Sequence, residues 1–218
     1  MSEVNLPEFW DEAYRSERDG WDMGTPTPVF DDILRRNGLD LREIGGADFR
    51  LTDHAPRAAL PCSGRGYDAL LFARYGFDVT AIDFSSEALK HLRELTPTPE
   101  RLTLLHADLF DMPGDVRGSF HLIVEYTCVC AVDPSRRAEL VRATHALLRP
   151  DGYALMLLFP IDGRPGGPPF SIDVDVWKQL MSPYFNLTFE CTPTTSVKPR
   201  MGRERLMMWK KKEAGDTP

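Results

Sequence analysis

The chain has 218 residues, 42% of them hydrophobic, which suits one α/β domain with a full core. Its formal charge of −7 argues against nucleic acid or an anionic membrane as the main partner, since both reward a basic face. The longest apolar stretch, Tyr153 to Phe159, is far too short to span a bilayer, and the acidic start MSEVNLPEFWDEAYRS lacks the apolar segment of a signal peptide, so a cytoplasmic location is expected.

The head, from Leu6 to about Gly45, reads as two helical pieces around the loop WDMGTPTP. Phe9, Trp10, Ala13 and Tyr14 carry the helical spacing of the first piece. The second starts after Pro28 and stops near Asn37-Gly38. From Arg57 onward short apolar runs alternate with amphipathic segments. Arg57–Leu60 is predicted as a strand entering the loop PCSGRGYD, and Ala69–Tyr75 as a helix stopped by Gly76. Asp78–Ile82 is the second strand and ends on Asp83; Ser85 then caps a helix to about Leu95, closed by Pro97 and Pro99. Leu102–His106 and Phe120–Glu125 are the third and fourth strands, and Arg136–Leu148 is a helix ended by the turn RPDG. Tyr153–Phe159 is the fifth strand. After a Gly/Pro loop come a helix around Val174–Met181 and two closing strands, Asn186–Cys191 and Glu204–Lys210, with a Lys-rich tail expected to fray. Such alternation implies a doubly wound, mostly parallel, seven-stranded α/β sheet with an antiparallel C-terminal edge strand. The whole chain, 1–218, is expected to be one domain, with a helical cap over 1–45 and a cofactor-binding core over 57–212.

Ligands of doubly wound sheets bind at the carboxyl ends of the strands, so the residues just after each strand are the candidates. Gly64 and Gly66 follow the first strand and let the backbone approach a ligand closely. Asp83 ends the second strand, 19 positions beyond Gly64, a spacing that suits a carboxylate on the ribose hydroxyls. Asp108 follows the third strand, within reach of an adenine amino group, and Glu125, Tyr126 and Thr127 follow the fourth. A dinucleotide fingerprint would place a third glycine or an alanine three positions after Gly66, and Ala69 stands there, so the loop alone does not decide between cofactors. Cys62, Cys128, Cys130 and Cys191 lack the paired C-x-x-C spacing of a zinc site. Cys128 and Cys130 stand two apart in an apolar, strand-like run, so reduced, partly buried thiols are expected. No metal is expected, and the five scattered histidines read as structural.

The run LPCSGRGYDALLFARYGFDVTAIDFSSEAL resembles the cofactor-binding half of class I methyltransferases, with their Rossmann-like fold. The segments EYTCVCAVDPSRR, LLRPDGYALMLLFP and GGPPFSI, with the head WDMGTPTPVF, resemble the thiopurine S-methyltransferase family, which includes thiol and halide methyltransferases. The likeness runs from about Phe9 to Trp209 and implies S-adenosyl-L-methionine as cofactor, a small-molecule acceptor and a monomer. It implies that Trp21 packs on the methionine part of the cofactor, while Gly64 and Gly66 admit it. Asp83, with Phe84 beside it, would bind the ribose, Asp108 and Leu109 would flank the adenine, and Glu125 and Tyr126 would face the sulfonium and the acceptor. Arg137, the arginine of P-x-x-R, would lie beside the acceptor and lower the pKa of an incoming thiol, and Phe170 would cover the pocket. Trp10, Trp21, Tyr126 and Phe170 are the candidates for an aromatic wall at the acceptor, although Trp10 also suits packing of the head on the sheet.

Two departures from the family pattern bear on function. Cys62 replaces the first glycine of the loop, so cofactor binding is expected to survive but weaken. Glu125 replaces the usual Asp, and Phe170 lacks the Tyr hydroxyl of the plant enzymes, which counts against halide as the acceptor. The expected activity is methyl transfer to a thiol or similar soft nucleophile. The alternatives are an oxygen or nitrogen acceptor on a small metabolite, or a catalytically silent cofactor-binding protein.

Overall fold

The computed structural model describes residues 2–37, 40–41, 55–94, 100–213 and 215. The expected Gly38 stop, the Pro97 and Pro99 closure and the end of the head near Gly45 lie outside these residues. Seven strands form one sheet: β1 (Arg57–Pro61), β2 (Asp78–Asp83), β3 (Leu102–His106), β4 (Phe120–Tyr126), β5 (Leu148–Leu158), β6 (Phe185–Cys191) and β7 (Arg205–Lys211). Their order is β3-β2-β1-β4-β5-β7-β6. The first five are parallel; β7 runs antiparallel between β5 and the edge strand β6. The closing antiparallel pair is thus as expected, with the last strand one place in from the edge.

Seven helices accompany the sheet among the described residues: α1 (Pro7–Arg15), α2 (Pro28–Asn37), α3 (Tyr67–Arg74), α4 (Ser86–Glu94), α5 (Cys128–Ala131), α6 (Arg137–Leu147) and α7 (Val174–Met181). Strand residues divide by parity, as a period of two requires. Ala58, Leu60, Leu122, Val124, Leu155 and Leu157 pack toward Phe30 of α2 and Phe72 of α3. Ala59, Ile123, Ala154 and Met156 pack toward Leu140 of α6 and Trp177 of α7. Both faces are covered, so the central strands read as unbroken apolar runs.

Three details differ from the sequence reading. β5 opens at Leu148 and passes through RPDG, where Asp151 takes φ 61° and pairing skips from Phe120–Leu148 to Leu122–Tyr153. β7 reaches Lys211, whose Nζ donates to the carbonyls of His145 and Leu148, and Lys212 N donates to Tyr184 O, so the chain is held two residues past the expected end of the strand. The run holding Cys128 and Cys130 is the helical turn α5 and not a strand. Thr127, at φ 65°, turns the chain sharply out of β4, and no glycine or proline announces it. The sheet order reverses between β1 and β4, and their carboxyl ends frame the site.

Candidate functional site

The loop leaving β1 curls back through three residues with positive φ: Cys62 at 50°, Gly64 at 53° and Gly66 at 76°. A Cβ at Gly66 would meet buried Leu92 at 2.2 Å, so that position requires glycine for space as well as for conformation, while Gly64 takes its positive φ close under the Tyr14 hydroxyl, 2.9 Å from where a Cβ would stand. Asp83 fastens this loop. Its Oδ2 accepts from Gly64 N and its Oδ1 from Ser85 N, each at 2.9 Å. Burial pushes the Asp83 carboxyl up to about 6 against the pull of those two N–H groups. Ser85 Oγ caps α4 by accepting from Ala88 N at 3.2 Å, as its position predicts. The same hydroxyl donates to Asp11 of α1 at 2.6 Å, and Asp11 also accepts from Glu87 N at 3.2 Å. The cap helix is thereby docked on the N-terminus of α4, beside the carboxylate that organises the loop.

The cap has further fastenings. Trp10 and Tyr14, one turn apart on α1, meet Trp21 edge-on at 5.4 and 5.6 Å between ring centroids. Arg65 of the β1 loop pairs with Asp19 and, at 2.7 Å, with Asp22. Thr27 gives both its N–H and its hydroxyl to Asp68 at 2.7 Å. Arg200 holds the Trp21 carbonyl at 2.6 Å and also the Tyr126 hydroxyl, which donates in turn to buried Glu204. None of Asp11, Arg200 and Glu204 carries a local motif. Their importance comes from partners far away in the chain.

Two clefts of about 940 and 700 Å³ open under the cap. They share Tyr14, Trp21, Cys62 and Thr127, so they adjoin at the switch point. Of the expected site residues, Trp10, Asp83, Phe84, Asp108 and Leu109 line the first cleft, Gly64, Gly66 and Tyr126 the second, and Trp21 both. Asp108 accepts from Phe110 N at 2.9 Å. Arg136, passed over in the sequence for its neighbour, lines the first cleft with its guanidinium 3.7 Å over the Phe110 ring and Nε paired to Glu139 at 2.8 Å.

Glu125, Arg137 and Phe170 line neither cleft. Glu125 is 3% exposed; its Oε1 accepts from Val129 N at 2.9 Å and so holds the turn α5. Burial pushes its carboxyl up to about 7. Arg137 donates to the carbonyls of Phe170 and Ser171 at 3.2 and 3.1 Å. Phe170 N donates to Cys130 O at 2.8 Å, which ties the loop after β5 to α5. The expectation of two reduced thiols in this run is corrected at Cys128, which forms a disulfide with Cys62, because the turn after β4 swings it toward the end of the neighbouring β1. Cys130 remains free, donates to Thr127 O at 3.1 Å, and is pushed up to about 12 by burial and by Glu125 nearby.

The model of the family described as thiopurine S-methyltransferase matches residues 5–212. The chain belongs to this family. It is similar to a probable thiol methyltransferase 2 of Arabidopsis thaliana, 31% identical over 97% of this chain and 88% of that one. A thiocyanate methyltransferase 1 of the same plant is 28% identical over 93% and 84%. Among solved structures, the Burkholderia thailandensis 1,6-didemethyltoxoflavin-N1-methyltransferase with bound 1,6-didemethyltoxoflavin and S-adenosylhomocysteine superposes with a TM-score of 0.64 at 20% identity, covering 95% of this chain and 88% of that one. The fold is that of the class I methyltransferases, and the chain is an S-adenosylmethionine-dependent methyltransferase. The residues present fit that cofactor. Two clefts adjoin at the switch point, the buried carboxylate of Asp83 stands at the end of β2 and holds the glycine loop, and Asp108 lines the same cleft as Asp83. No helix among the described residues is long and apolar enough to cross a membrane.

Proposed function

We propose that this methyltransferase acts on a small thiol or similarly soft nucleophile. The observation that carries the reading is the absence of a free base in the first cleft. Among the described residues that line it the only carboxylates are Asp83 and Asp108, both accepting backbone N–H groups, and there is no histidine; in the adjoining cleft Asp22 and Asp68 are taken up by Arg65 and Thr27. The rest of that wall includes Val4, Trp10, Ala131, Val132, Pro168 and Pro169. An alcohol acceptor would need a strong base, whereas a thiol with a pKa of about 8.5 ionises with modest help. The names of the relatives, thiol and thiocyanate methyltransferases, agree with that chemistry.

In this reading Asp83 and Phe84 hold the ribose side of the cofactor, and Asp108 and Leu109 flank its adenine. Gly64 and Gly66 receive the methionine part, covered by Trp21. The bound cofactor supplies the activated methyl group. The chain's own task is to align the nucleophile and to exclude water, which the aromatic cap of Trp10, Tyr14 and Trp21 does by closing over the switch point. Glu125, Arg137 and Phe170 act at one remove, by holding α5 and the loop over the acceptor. We read the chain as a single-domain, cytoplasmic monomer. The test is an acceptor panel with labelled S-adenosylmethionine. Thiols and thiocyanate should be methylated, and matched alcohols and amines should turn over at least about a hundredfold more slowly. Equal rates on the alcohols would overturn the reading.

A further inference from the structure

Cys62 occupies a conformation that its side chain disfavours. At φ 50° it lies in the left-handed region, in the loop position where the family pattern has glycine. Such a residue persists only where its surroundings hold it. The residue that precedes its disulfide partner, Thr127, is likewise left-handed at φ 65°. The bond joins the residue after β1 to the second residue after β4, with Cα atoms 5.4 Å apart, across the switch point where the two clefts meet. One residue beyond Cys62, Ser63 N donates to Ile82 O, and then Gly64 N donates to Asp83. A loop that relaxed at Cys62 would carry both of those bonds with it.

We infer that the Cys62–Cys128 disulfide stands in for the missing glycine: it holds the cofactor loop in its binding conformation, and Cys128 is a positioning residue for the cofactor. The arrangement makes cofactor affinity depend on small thiols. Cys62 lines both clefts, whereas Cys128 is 0% exposed. A small thiolate therefore attacks Sγ of Cys62, the S–S bond breaks, and Cys128 leaves as the thiolate and takes up the proton that the incoming thiol has lost. A second small thiolate then attacks the small-thiol sulfur of this mixed disulfide; Cys62 leaves as the thiolate and takes up a proton, and a small disulfide is released. The same small disulfide, acting as oxidant, reverses both steps and closes the bond again.

Calorimetric titration with S-adenosylhomocysteine tests the inference on the full chain, after treatment with oxidised glutathione or with dithiothreitol. Thiol counting on the unfolded chain should find two free thiols in the first case and four in the second, and peptide mapping should find Cys62 joined to Cys128. The reduced chain should bind about tenfold more weakly, the cost of a left-handed residue without its tether. Cys62→Gly should bind as tightly as the oxidised parent in both conditions, since glycine takes positive φ freely. Cys128→Ser should bind as weakly as the reduced parent in both. Equal affinity of the parent in the two redox states overturns the inference and leaves the cofactor assignment standing. Failure of every form to bind overturns both. Weak binding by Cys62→Gly likewise overturns the inference, since the loop would then depend on something other than the conformation of this residue.

Discussion

The two sides of the switch point treat charge in opposite ways. On the cofactor side, at the ends of β2 and β3, the carboxylates of Asp83 and Asp108 cap backbone N–H groups and still face the cleft. On the acceptor side, beyond β4, Glu125 and Arg137 also bind the backbone, but they turn away from the cleft and hold its wall from behind. In the function proposed above, the first arrangement would serve a ligand rich in hydroxyl and amino groups, which rewards a directed acceptor. The second would leave an apolar surface, suited to a soft nucleophile that would lose reactivity if strongly hydrogen-bonded. On that reading the same residue types recognise the ligand on one side and shape its container on the other.

The largest expected effect breaks the cofactor side. In Asp83→Asn one carboxylate oxygen becomes an NH2 donor facing either Gly64 N or Ser85 N, and the charge that strengthens both bonds is gone. Affinity for S-adenosylhomocysteine should fall by at least about a hundredfold in a calorimetric titration. A loss below about threefold would mean that the glycine loop keeps its shape without this carboxylate.

The contrast also explains what the sequence made legible. Along β1 to β3 the candidate residues stand at a strand end or a few residues past it, so the alternation of strand and helix brings Gly64, Gly66, Asp83 and Asp108 to the carboxyl edge of the sheet. Across the switch point the rule stops working. Thr127 adopts a left-handed turn without any glycine to mark it, so the apolar run predicts a strand where α5 lies and favours reduced thiols over the disulfide that Cys128 forms. Arg136 and Arg137 are adjacent and chemically identical, and only their helical direction decides that Arg136 faces the cleft while Arg137 reaches the loop carbonyls. The cap's fastenings, Asp11 to Ser85 and Arg200 to Trp21, join residues 74 and 179 positions apart and leave no local pattern to read.

A second, smaller effect sharpens the contrast through pH. Glu125 rises from an ordinary 4.5 to about 7 and Asp83 from 3.8 to about 6, both chiefly through burial. Between pH about 4 and 7 the folded chain therefore holds more protons than the unfolded one. Their stabilising contribution is full at the acid end of this window and is lost as pH rises to 7. Glu125→Gln keeps an acceptor for Val129 N but has no charge to bury. Its stability relative to the parent should improve by about 2 kcal/mol from pH 5 to pH 8, several degrees in thermal midpoint for a chain of this size. Parallel pH profiles for parent and variant would show that Glu125 is not the buried carboxyl that titrates.

The smallest effect tests the acceptor side most directly, because two roles for Arg137 predict different kinetics. If the guanidinium lowered the pKa of the incoming thiol, Arg137→Ala would move the pH dependence of kcat/KM upward toward the free thiol's own pKa. The geometry instead gives it to the carbonyls of Phe170 and Ser171, so its removal frees the loop that carries Pro168 and Pro169 over the cleft. The acceptor KM should then rise about tenfold, the worth of one or two charge-assisted bonds, with kcat little changed and the apparent pKa unmoved. Arg137→Lys should recover only part of this loss, because an ammonium cannot span two carbonyls with the fixed fork of a guanidinium. A shifted pH profile with an unchanged KM would return Arg137 to the acceptor and make the two sides of the switch point alike after all.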